Sequence, residues 1–183
     1  MKKSIKIATV LLICIIVCEC AVIKLIGDTT IKVPTLWKSK TEEVYIYDGD
    51  QCGENLEAEK VINLESRLKI EDKIYKIVQE LKEKFSDIEI EIIGYKNIGN
   101  KKILILDLRD KNKSVGSYLN AGSTGSRINL GIIVNSLLRN EKDIHNWIDG
   151  VKILVNGEEN VEGEHISLAE IFYKTTDNTI DLQ

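Results

Sequence analysis

The chain has 183 residues, 43% of them hydrophobic, which is enough for one compact domain and an appendage. Its charge is split unevenly: seven lysines face only Glu19 and Asp28 in the first 40 positions, which leaves 18 basic and 27 acidic residues beyond them, a net charge of −9. A domain so acidic is repelled by phosphate backbones, and with 2 Phe and 2 Trp it is poor in stacking surface, so both properties argue against a nucleic-acid binder.

Lys2, Lys3 and Lys6 precede an apolar run from Ile7 to Ile23 that is broken by one acid, Glu19. Seventeen residues is the short end of what spans a bilayer, and a basic start before an apolar run also has the shape of a secretory signal. Cys18-Glu19-Cys20 before Ala21 is a poor cleavage site. Neither Val17 before Cys18 nor Glu19 before Cys20 supplies the small residue that lipidation of a cysteine requires. Residues 1–26 therefore read as an uncleaved single-pass anchor with an inside N-terminus, and the rest of the chain is expected to lie extracytoplasmically. Of the four cysteines, Cys14, Cys18 and Cys20 belong to this segment. Cys52 stands alone outside it and can make no intradomain disulfide, so the fold must rest on its core.

Residues 27–43, polar and holding Pro34 and Trp37, read as a stalk. Val44-Tyr45-Ile46-Tyr47 is a strand ended by the turn residues Asp48-Gly49-Asp50, and Val61-Ile62 marks a second short strand. Ile70, Ile74, Ile77, Val78, Leu81 and Phe85 recur at a period near 3.6 and predict an amphipathic helix. Ile88 to Ile92 alternates with period two, a half-buried strand, and Asn97-Ile98-Gly99-Asn100 supplies hairpin-turn chemistry. Ile103 to Leu108 is apolar on both faces, as a central strand is. Arg109 to Ala121 reads as a polar loop. A Gly-Ser segment, Gly122 to Ser126, then opens a helix over about 127–139, with Ser123, Thr124 and Ser126 each able to cap it. Val151 to Val155 is a strand closed by Asn156-Gly157, and residues 174–183 form a tail. The order predicts an α+β domain over 44–173, a small mixed β-sheet with two helices packed on one face, preceded by an N-terminal transmembrane helix.

Four of these pieces, in this order, resemble the GerM domain of sporulation and spore-germination proteins: Val44 to Tyr47 with its turn, Ile103 to Leu108 with its Asp-Leu step, the Gly122-Ser123-Thr124-Gly125 entry to a helix containing Ile133-Val134-Asn135, and Val151 to Gly157. Ser126 stands where that family usually has an acid, and the family's lipoprotein anchoring is not reproduced. The resemblance implies a non-enzymatic extracytoplasmic domain, acting in spore formation or germination, that binds envelope or sporulation proteins or self-associates.

Candidate chemistry is sparse. The Gly122–Ser126 helix start offers backbone N–H groups suited to an anion, but no Gly-Lys-Ser/Thr follows it and its glycines are one residue too close for a nucleophile elbow. A tight turn before a helix is the simpler reading. Ser123 with His145 or His165 is the least supported nucleophile and base, and Asp48-x-Asp50-x-Cys52 with Glu59 imitates a calcium loop without its flanking helix. Asp107 and Asp110 beside Arg109 suit loop capping better than acid–base work. The expected protein has no catalytic residues, no cofactor and no metal. Its partner surface is Gly122, Ser123, Thr124, Gly125, Ser126 and Arg127, together with the edge strands. The alternative is an envelope module that binds peptidoglycan or an anionic small ligand at that same helix start.

Overall fold

The computed structural model describes residues 40–138 and 147–173. The elements run β1 (Thr41–Gly49), β2 (Leu56–Glu65), α1 (Ile70–Lys84), β3 (Ile88–Ile98), β4 (Lys101–Asp110), α2 (Val115–Leu119), α3 (Gly122–Leu138), β5 (Gly150–Val155) and β6 (Phe172–Tyr173). The α+β class expected from the sequence is what the chain adopts. The segment expected to be a membrane anchor, most of the expected stalk and the expected tail lie outside the described residues.

Two sheets form instead of one. β1 and β2 make an antiparallel hairpin of their own, while β3, β4, β5 and β6 form a mixed sheet in that order. β4 is central, antiparallel to β3 and parallel to β5; a parallel pair needs a crossover, and α2 and α3 supply it. Leu104, Leu106 and Leu108 stand in register with Tyr95, Ile92 and Ile90 on one side and with Val151, Ile153 and Val155 on the other, so one face of the sheet is an apolar grid. The apolar stripe of α1 (Ile74, Ile77, Val78, Leu81) and Phe85 just after it join this grid in a single core with α3 and the hairpin residues Val44, Ile46 and Leu64.

Helix α3 is buried from Leu130 to Leu138 without a break, as a helix apolar on all sides must be. It packs on β1, β2, α1, α2 and β5. Ser136 accepts a hydrogen bond from the Tyr47 N–H of β1 (3.0 Å), tying the hairpin to the central helix. Trp147, almost fully buried, donates its indole N–H to the Leu137 carbonyl (2.6 Å) and closes the end of that helix.

Three expectations need correction. The stalk gives way to β1 at Thr41, three residues early, because Glu42 reaches the buried Lys73 of α1 and fixes the chain there. The presumed loop 109–121 contains α2, whose Val115 and Leu119 are buried and whose start is capped by Ser114 Oγ accepting the Gly116 N–H (3.2 Å). The Gly-Ser segment is no loop. Helix α3 begins at Gly122, five residues before the expected start, with Gly122 itself at φ 80°.

Candidate functional site

Within the first turns of α3, Ser123, Thr124 and Arg127 are exposed, and Ser126 is wholly buried with a hydroxyl that has no hydrogen-bond partner. Ser126 thus packs into the core and does not cap the helix. Gly125 sits close to the turn before it: a Cβ there would meet Ala121 Cβ at 3.1 Å. No acid occupies the first turn. With α3 starting at Gly122, the N–H groups of its first turn are those of Gly122 to Gly125, and of the six residues named for this surface four, Gly122, Ser123, Thr124 and Arg127, are exposed. No hydrogen bond joins Ser123 to His165, which is itself exposed; His145 lies outside the described residues.

The acids singled out from the sequence serve the fold. Asp107 is fully buried on β4; it accepts the Gly157 N–H (2.9 Å) through Oδ1 and the Arg109 Nε–H (2.7 Å) through Oδ2. Arg109 also reaches Glu91 on β3 (3.1 Å). Beside it, Asn156 donates its N–H to the Leu108 carbonyl (2.9 Å) and accepts the Asp110 N–H (3.0 Å). The Asp-Leu step and the Asn-Gly turn, fifty residues apart, therefore form one latch. Asn156 and Gly157 both have positive φ (53° and 81°), and Val155 and Glu158 exchange N–H···O bonds across them, the pattern of a two-residue hairpin turn. Asp110 accepts the Val115 N–H (2.7 Å) and holds the start of α2.

In the hairpin loop, Asp50 bonds the Glu54 N–H (2.8 Å) and the Asn55 side chain (2.9 Å), interactions that hold its carboxyl below the usual range. Asp48 and Glu59 both turn to Lys84 on α1. These carboxylates are spent on the turn and on an ion pair, and among the described residues no group of three or more acidic, His or Cys side chains converges for a metal. Cys52 is exposed and unpaired.

A groove of about 590 Å³ between α1 and β3 was not legible in the sequence. Glu71, Asp72, Tyr75, Val78, Gln79 and Lys82 line it from the helix and Ile90, Glu91, Ile92 and Tyr95 from the strand. A β-bulge creates its shape: Ile93 is extra in the β3–β4 register, so Ile92 and Tyr95 both face the helix side, while Ile93 is half exposed beside Gly94. The Tyr95 hydroxyl is buried with no hydrogen-bond partner, and burial, followed by the charges of Glu71 and Asp72, pushes its pKa up to about 12. Lys102 stands 4.7 Å from the Tyr95 ring centroid and 2.6 Å from Glu71. Lys82 pairs with Glu89 (2.8 Å), and the Asp72 carboxylate makes neither ion pair nor hydrogen bond among the described residues. Tyr75, Tyr95 and Asp72 escape sequence reasoning because they are ordinary helix and strand residues that only the packing of α1 on β3 brings together. The Gly94 break in the alternation of β3 is the one local signal, since a glycine inside a strand pattern marks a bulge.

No protein-family model matches the chain, and no curated protein does. A solved structure of a lipoprotein candidate from Clostridium perfringens is similar with a TM-score of 0.39 and 18% identity, over 73% of this chain and 88% of that one. So loose a likeness does not bear on function. Among the described residues no helix is long and apolar enough to cross a membrane; the Ile7–Ile23 run lies outside them.

Proposed function

We propose that this protein is a membrane-tethered, extracytoplasmic, non-enzymatic domain that binds partner proteins in the cell envelope, in the manner of the GerM domains it resembles in sequence. The observation that carries the reading is the edge of β3, which has no strand partner on its outer side among the described residues: an eleven-residue strand at the margin of the mixed sheet, bordered by the α1 groove and exposing Ile93 and Ile98. An unpaired strand edge is a template for another chain, which makes partner addition a physical route to assembly. Asp107, Asp110, Asp48 and Asp50 are committed to latches and ion pairs, which supports binding over acid–base work by these four residues. The basic start and the apolar run to Ile23 support tethering.

Deleting the gene in its host and counting heat-resistant spores tests the biological half of this reading. A large fall in spores with unchanged vegetative growth is expected; normal sporulation and normal germination would detach the protein from that role. The second reading, an anionic ligand at the start of α3, is favoured by the absence of an acid from its first turn and by exposed Arg127. It requires that Arg127→Glu abolish ligand binding while the fold survives.

A further inference from the structure

We propose that the α1–β3 groove is the partner site, and that its occupant is an extended basic segment of another protein, laid along the β3 edge with a Lys or Arg side chain seated between Asp72, Tyr75 and the Tyr95 hydroxyl. This inference rests on the partner-binding reading and gives it a place and a chemistry.

Successive strand side chains point to opposite faces, so a groove lined by Ile90, Glu91 and Ile92 together, and by no residue of β4, follows the β3 backbone on its unpaired side. An incoming strand would find main-chain partners along Glu89 to Ile92, between the Ile88 N–H, which bonds the Phe85 carbonyl, and the bulge at Ile93 that interrupts the edge. The sign of its charge follows from the side chains. Glu71 is paired with Lys102, the neighbouring Glu89 with Lys82, and Glu91 shares Arg109 with the buried Asp107, which leaves Asp72 as the groove carboxylate that pairs with no cation among the described residues. Beside it sit two features that a cation can use: a buried phenolic oxygen with no partner, and the open ring of Tyr75, more than half exposed. A buried polar atom left without a hydrogen bond is costly, and a donor arriving from a ligand removes that cost.

A second copy of this chain is the poorer occupant. Antiparallel self-pairing along β3 would set Glu89 and Glu91 against the same residues of the other copy, and like charges placed opposite one another are destabilising. The domain beyond position 40, with its net charge of −9, repels itself more generally and attracts a basic segment.

The test uses the full chain in detergent micelles and a library of random twelve-residue peptides displayed on phage. Synthetic copies of the selected peptides are then titrated by fluorescence anisotropy. Selected peptides are expected to be enriched in Lys and Arg within β-forming sequence, and to bind Asp72→Asn and Tyr95→Phe about tenfold more weakly, the loss of one charge-assisted hydrogen bond. Tyr95→Phe removes an unpartnered hydroxyl, so its melting temperature should hold or rise, which separates a binding loss from misfolding. Peptides with no basic enrichment, affinities unchanged in both variants, or growth of the chain's own oligomers in place of peptide binding would overturn the site. Peptides insensitive to these two variants but lost on Arg127→Glu would also overturn it, while leaving partner binding itself in place. Groove-dependent peptides together with a normal spore count would instead remove the sporulation role and keep the groove.

Discussion

Asp107 is the residue whose role changes most between sequence and structure. In the sequence it is an acid next to an arginine at a strand end, as compatible with chemistry as with capping. In the fold it is fully buried, with both oxygens occupied, one by the Gly157 N–H and one by Arg109. Its side chain substitutes for solvent at a backbone N–H that the turn leaves unmatched. Asp107→Ala should therefore cost about 2–4 kcal/mol, because it removes two charge-assisted hydrogen bonds and leaves a void where a fully buried side chain stood. Urea denaturation followed by circular dichroism would measure this, and a loss near zero would mean that Gly157 finds another acceptor. Ser126 shows the opposite error: a residue expected to cap a helix proves to be a buried hydroxyl without a partner. Capping requires non-helical backbone, and the helix had already begun at Gly122.

Among the elements, α1 was readable to within a residue because its period of apolar residues coincides with its buried face: Ile74, Ile77, Val78 and Leu81 are all buried. β4 and β5 were readable for a related reason, since a strand covered on both sides is apolar on both sides. Helix α3 was less so, because a helix buried on every side carries no stripe to mark its limits, and its glycines and serines imitate a loop. Its central position makes a sharp expectation. Leu137→Ala, at a side chain with no exposure, should cost about 3 kcal/mol through lost burial and a cavity, whereas Val61→Ala on the exposed side of β2 should stay within about 0.5 kcal/mol. Thermal unfolding of the two variants side by side checks it, and equal losses would mean that α3 is not the centre of the core.

For the whole molecule, surface ion pairs tie one element to another: Lys82 to Glu89 joins α1 to β3, Lys102 to Glu71 joins β4 to α1, and Lys113 holds Asp87. Hydrogen bonds from these lysines hold the carboxyls of Glu89, Glu71 and Asp87 below their ordinary values. A carboxyl depressed in the folded state contributes stability that is present above its unfolded value, near about 4, and lost as pH falls through the lower folded value. The melting temperature should thus fall as pH drops from about 5 toward 3, more steeply in dilute buffer than in high salt, where such exposed pairs are already screened. A melting temperature that rose on acidification would show that relief of the acidic domain's self-repulsion outweighs its pairs.

What the sequence by itself determined is what local periodicity and composition control: the α+β class, the amphipathic α1, the strands β3 to β5, the Gly99 and Asn156-Gly157 turns, and the split between a basic start and an acidic domain. Tertiary structure decided the rest. The separation of β1 and β2 into their own hairpin follows from pairing between distant residues, and the extent of α2 and α3 from burial that no short window encodes. The latch of Asp107 on Gly157 and the groove where Tyr95 meets Asp72 are products of register and of the bulge at Ile93, which places side chains from α1 and β3 within reach of one another. Local pattern states which faces are apolar; only the closing of those faces on one another determines which polar groups are left to meet.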